Sequence, residues 1–185
     1  MPRLDPNRQL DPGDILLQQD SWFGSKFSHK LIMFGQSLTG RKAGSAKTTH
    51  VAIQCPFHGI AEASGSGTVK LSQVAGGERY KVFREVNANL GSLASAIAFN
   101  WASQANPIGY SKKGALLSIS HDSNMGNMGT GRAQMYGQNA GSLTSDWADK
   151  GFFCSEFVVA VYQAAAFQAQ QALTGMLSTD ARHCS

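Results

Sequence analysis

The stretch that most constrains this chain is Gly151-Phe152-Phe153-Cys154-Ser155-Glu156-Phe157-Val158-Val159-Ala160-Val161-Tyr162. Phe153, Phe157 and Val161 recur every fourth residue, and Val158, Tyr162 and Ala165 form a second row beside them. That spacing predicts a helix with a broad buried face. A lone cysteine, Cys154, falls in its first turn, where unpaired backbone N–H groups and the positive end of the helix dipole favour a thiolate. Such a position suits a nucleophile. It equally suits a small core residue, because free cysteine is among the most buried residue types. The stretch alone leaves both readings open.

The rest of the chain predicts a sheet in front of this helix. At 185 residues, the protein is long enough for one domain with a real core. Asp11-Pro12-Gly13-Asp14 reads as a turn after a leader, residues 1–12, that need not pack. Ile15 to Gln18, Thr48 to Gln54, Ile60 to Ser64, Val69 to Leu71 and Tyr80 to Arg84 read as strands. Phe27, Leu31, Phe34 and Leu38 predict a helix over 25–38 with Gly40 as its stop, and a basic loop follows over 40–47. Leu93, Ile97, Trp101 and Ala105 predict another helix over 92–105. Residues 118–150 show no periodicity and hold many Gly, Asn, Ser and Met residues, which predicts a long irregular loop. The helix at Cys154 is expected to end near Leu173, leaving 174–185 as a frayed tail. The expected class is α+β: a central antiparallel sheet packed against helices, in a single domain spanning 1–185.

Charge and composition narrow the function classes. Sixteen basic and twelve acidic residues give a net charge of +4, with the basic residues scattered. No basic run carries interleaved aromatics, which argues against nucleic-acid binding. No apolar run reaches the length of a membrane span. The opening Met1-Pro2-Arg3-Leu4-Asp5-Pro6 lacks the apolar stretch of a secretory signal. The chain is therefore expected to be made in the cytoplasm, and to stay there or leave by a signal-independent route. Three cysteines cannot all pair, so a disulfide scaffold is excluded. A Cys55–Cys184 bridge stays open for a protein working outside the cytosol. The Cys55, His58, His183 and Cys184 set departs from paired Cys-x-x-Cys zinc spacing, and neither metal nor cofactor is expected.

A reactive cysteine needs a base and a group that orients the base. Of five histidines, only His50 lies on a strand near the centre of the predicted sheet. If residues 50–54 pair with 60–64 about the 55–59 turn, the natural registers put His50 and Glu62 on one face. They would be direct or diagonal neighbours, and Glu62 could fix the tautomer of the ring. An exposed His–Glu pair on a solvated strand face satisfies the same arithmetic.

Gly13-Asp14-Ile15-Leu16-Leu17-Gln18, His50-Val51-Ala52-Ile53, Glu62-Ala63, Tyr80-Lys81-Val82-Phe83-Arg84, Gly109-Tyr110 and Phe153-Cys154-Ser155-Glu156-Phe157-Val158 together resemble the permuted NlpC/P60 cysteine hydrolases. These are papain-like enzymes of the YiiX type, more distantly similar to lecithin:retinol acyltransferase relatives. The resemblance covers about residues 11–163. It implies Cys154 as nucleophile, His50 as general base, Glu62 as orienting residue and Tyr110 as a residue lining the site. The Cys154 backbone N–H would contribute to an oxyanion hole, with the Gln18 side chain as a candidate second donor. The implied reaction is hydrolysis of an amide bond in a cell-wall peptide. A role as an antibacterial effector acting in the periplasm would involve delivery machinery and an immunity protein. The same residues would serve a lipid acyl hydrolase, acyltransferase or thioesterase. The alternative of a different class is a catalytically silent binding module.

Overall fold

The structure, a computed structural model, describes residues 9–19, 48–64, 67–74, 80–113, 127–143 and 151–183. The predicted helix over 25–38, the loop over 40–47 and the ends of the 118–150 segment lie outside the described residues. The same is true of residues 1–8 and 184–185.

Five strands form one antiparallel sheet: β1 (Ile15–Gln19), β2 (Thr48–Gln54), β3 (Ile60–Ala63), β4 (Val69–Ser72) and β5 (Tyr80–Phe83). Their order is β4-β3-β2-β1-β5. β1 lies between β2 and β5, with Leu17 facing Val51 on one side and Lys81 on the other. Three helices follow among the described residues: α1 (Ala88–Ser103), α2 (Asn127–Gln138) and α3 (Cys154–His183). The protein is thus α+β, as the sequence predicts.

Alternation along the strands divides the sheet into two apolar faces. Val51, Ile53, Ala61, Ala63 and Val69 pack beneath the helices with Ile97, Trp101, Phe157 and Val161. Leu16, Ala52, Ile60 and Tyr80 form a second cluster. Leu10 packs against this second cluster and Asp11 pairs with Arg84, so the leader is tied to the domain from at least Leu10 onward. An apolar residue next to a buried strand end is drawn in by the area it removes from water.

The Asp11–Asp14 turn closes through Asp14 N–H to the Asp11 carbonyl at 3.0 Å. Gly13 has φ +92°, and a Cβ there would meet the Gly91 carbonyl oxygen at 2.4 Å, so the turn and α1 touch backbone to backbone. Asp14 is buried and receives Arg84 in a two-pronged pair, Nε to Oδ1 and Nη2 to Oδ2, both at 2.8 Å. That pairing compensates a carboxylate that burial would otherwise leave uncovered. Tyr162, in the third turn of α3, donates to the Gly13 carbonyl at 2.5 Å. The turn therefore joins β1, β5, α1 and α3.

α1 starts at Ala88, where the Asn87 side chain accepts from the Asn89 and Leu90 N–H groups at 3.1 and 3.2 Å. Its start lies four residues before the sequence expectation, because a cap decided by a hydrogen bond does not show in apolar spacing. The helix in α2 corrects the expectation of an irregular loop over 118–150. Tyr136 is buried within α2, and Ala140 and Leu143 are buried just beyond its end. Its apolar period is hidden by small residues. Gly137 lies so close to α3 that a Cβ would meet the Phe167 ring at 2.2 Å, so tertiary packing outweighs the low helix propensity of glycine. α3 continues to His183, which likewise corrects the expected frayed tail over 174–183.

Candidate active site

The position of Cys154 is set by aromatic packing beneath it. Trp101 of α1 stacks on Phe152, with ring centroids 6.0 Å apart and planes within 6°. Tyr136 of α2 and Phe157 of α3 meet the same pair at tilted angles, the arrangement that ring quadrupoles favour. Trp101 Nε1–H donates to the Asn139 carbonyl at 3.0 Å. Phe152 and Phe157 flank Cys154 on either side, so the start of α3 is anchored from all three helices.

Backbone pairing ties this point to the sheet. Gly109 bridges Thr68, and Tyr110 bridges Phe152. Phe152 N–H donates to Gly109 O and Ser111 N–H to Phe152 O, both at 3.0 Å. Gly151 turns the chain into α3 with φ +63°, and a Cβ at this position would meet Gly109 O at 2.5 Å. Only glycine fits this close approach. Tyr110 is thereby held beside Cys154. Burial, and after it the charge of Cys154, push its hydroxyl pKa up.

Phe153 occupies the cap of α3: its carbonyl accepts from the Phe157 N–H at 3.0 Å. The Glu156 carboxylate lies near the Phe153 backbone N–H. Glu156 occupies the acidic position of a capping box, without the usual Ser or Thr at the cap. Burial nonetheless raises the pKa of Glu156, with the Phe153 bond and Arg132 of α2 opposing. Its role is to close the helix start.

The β2–β3 register is Ile53 opposite Ala61 and Gln54 opposite Ile60. Continued by one residue, it sets Ala52 opposite Glu62 and makes His50 the diagonal neighbour of Glu62, and the two meet with Nε2 to Oε2 at 2.6 Å. Both are mostly buried. The Cys154 side chain lies beside the ring and favours its protonated form. Burial lowers the pKa of His50, but hydrogen bonds to Cys154 and Glu62, together with their charges, outweigh it and raise it to about 9. Burial likewise raises the pKa of Glu62, yet bonds from His50 and Ser72 bring it below the ordinary carboxylate value. Gln18 stands directly across from His50 in the β1–β2 register.

The sequence-predicted Cys154, His50, Glu62 and Tyr110 are therefore brought together, with Gln18 adjacent on the neighbouring strand. Sequence reasoning missed Ser72, whose Oγ donates to Glu62 Oε1 at 2.6 Å, and Lys70, whose Nζ lies 3.9 Å from the same oxygen. Lys70 is the direct cross-strand partner of Glu62, so the alternation of Val69–Ser72 is the signal that could have found both. Cys55 is a free, buried thiol whose pKa burial pushes up to about 12.

A thiol, an imidazole and a carboxylate in series can generate a thiolate, move a proton to a leaving group and return it from water. No protein-family model, curated protein or solved structure matches the chain. Among the described residues, no helix is long and apolar enough to cross a membrane.

Proposed function

We propose that this protein is a papain-like cysteine hydrolase of the permuted NlpC/P60 type, cleaving an amide bond in a cell-wall peptide. The observation that carries this reading is the His50 ring, held by Glu62 at 2.6 Å and set beside Cys154, the first residue of α3. In the proposed reaction the Cys154 thiolate attacks the amide carbonyl carbon, forming a C–S bond. The developing oxyanion is met by the Cys154 N–H and the Gln18 amide. His50, protonated, gives its proton to the leaving amine as the C–N bond breaks. His50 then takes a proton from water, whose oxygen attacks the thioester and releases the acid and the thiolate. Glu62 keeps the ring in register and stabilises the imidazolium. Tyr110 lines the substrate side of the thiol. A wall-peptide substrate puts the working compartment in the periplasm.

The test is mass spectrometry of peptidoglycan fragments and of phospholipids after incubation with the wild-type protein and with Cys154→Ala. New peptide termini that depend on Cys154 are the expected result. Cys154-dependent release of fatty acid alone would make the enzyme a lipid acyl hydrolase. No Cys154-dependent product from either substrate would leave the binding-module reading in its place.

A further inference from the structure

We infer that Ser72 is a positioning residue for the His50 base, acting through Glu62. The inference rests on the catalytic reading of His50 given above. Glu62 Oε2 is committed to His50 Nε2. A glutamate held by one oxygen can still turn about its last side-chain bond, because that torsion is broad and roughly two-fold. Ser72 Oγ–H, 2.6 Å from Oε1, fixes the second oxygen and with it the plane of the carboxylate. The short distance is that of a hydroxyl bonded to an ionised acceptor. An ionised carboxylate only accepts, so the serine hydrogen must point at it. The contact therefore selects both the orientation and the charged state of Glu62.

The placement follows from the sheet. Ile60 faces Ser72 and Glu62 faces Lys70 in the β3–β4 register, which puts Ser72 diagonal to Glu62 just as Glu62 is diagonal to His50. One side chain from each of β2, β3 and β4 thus forms a chain of contacts from Cys154 to the edge of the sheet. The charged groups facing Glu62 are His50 and Lys70, and those facing His50 are Glu62 and Cys154. Lys70 is 44% exposed and 3.9 Å away, so solvent screens it and leaves Ser72 as the directional contact.

Ser72→Ala and Ser72→Thr in the full chain test this. The readouts are acylation of Cys154 by p-nitrophenyl acetate, followed as nitrophenolate release, and the titration midpoint of the His50 ring by NMR. Ser72→Ala should slow acylation about tenfold, as expected for loss of a hydrogen bond to a charged group. Without its donor Glu62 becomes less acidic and holds the imidazolium less firmly, so the His50 midpoint should fall. Ser72→Thr keeps the hydroxyl and should restore both. An unchanged His50 midpoint in Ser72→Ala overturns the inference. Equal losses in the Ala and Thr variants overturn it too, since the effect would then be one of packing. Persisting nitrophenolate release in Cys154→Ala would instead sink the hydrolase reading. The His50 midpoint would still decide whether Ser72 acts on the ring through Glu62.

Discussion

His50 on β2 and Glu62 on β3 stand diagonally across a hairpin and share a 2.6 Å contact between Nε2 and Oε2. Burial lowers the ring pKa, but Cys154 and Glu62 together outweigh it and raise it to about 9, which favours the imidazolium. The folded-state value lies above the unfolded one, so the stabilisation is complete below about pH 6.5 and is lost as pH rises through 9. NMR of the ring should find a midpoint close to 9 in the wild type. Glu62→Gln removes one charge that favours the imidazolium and should lower the midpoint by about one unit or more. A midpoint unmoved by Glu62→Gln would mean that the carboxylate is not coupled to the ring.

The two described cysteines should differ sharply in reactivity. Cys55 is 1% exposed and its thiol is pushed up to about 12, so it offers almost no thiolate near neutral pH. Cys154 is partly exposed and lies beside the His50 ring. Iodoacetamide at pH 7 should modify Cys154 at least about 100-fold faster than Cys55. Peptide mapping after a short exposure checks this, and comparable labelling of both would contradict the site. His50→Ala should slow the labelling of Cys154 and, in the same measurement, leave Cys55 as it was.

What the sequence made legible follows from how local each signal is. The strands, the rows of α3 and the His50–Glu62 diagonal depend on spacing within one element or one hairpin, and spacing survives in the sequence. Ser72 was not legible because its role depends on a third strand pairing in one particular register. α2 was hidden for a related reason. Gly137 and Ala140 are small because Phe167 and the core lie against them, and small residues carry little periodic signal. Glu156 gave no capping signal in the sequence, because Phe153 stands where a capping box has Ser or Thr.

Gly151 should be intolerant of a side chain. Its φ of +63° costs an L-residue about 1–2 kcal/mol, and the 2.5 Å approach to Gly109 O adds a backbone clash. Relief requires the 108–111 segment to move away from the start of α3, and Tyr110 and Cys154 would move with it. Gly151→Ala should therefore lose at least about 2 kcal/mol of stability. Chemical denaturation would measure this. Iodoacetamide labelling of the folded variant would report the displaced thiol as a slower rate. A variant with wild-type stability and labelling would show that the close approach is not required.

α2 should be indispensable to the fold. Tyr136 fills the aromatic cluster with Trp101 and Phe152, at centroid distances of 6.0 Å from each, and Asn139 receives the indole N–H. Tyr136→Ala leaves a cavity beneath the start of α3 and should cost about 3 kcal/mol or more. For a chain of this size that corresponds to a fall in melting temperature of roughly 10 °C. Because the same cluster anchors Phe152 and Phe157, the loss should also loosen Cys154 and slow its alkylation. Replacing 127–143 by a Gly/Ser linker removes Tyr136, Ala140 and Leu143 from the core together and exposes the α3 face that Gly137 approaches. That variant should show no cooperative melting transition by circular dichroism. A linker variant that melts within a few degrees of the wild type would mean that α2 only covers the domain, and the structural role assigned to it would be wrong.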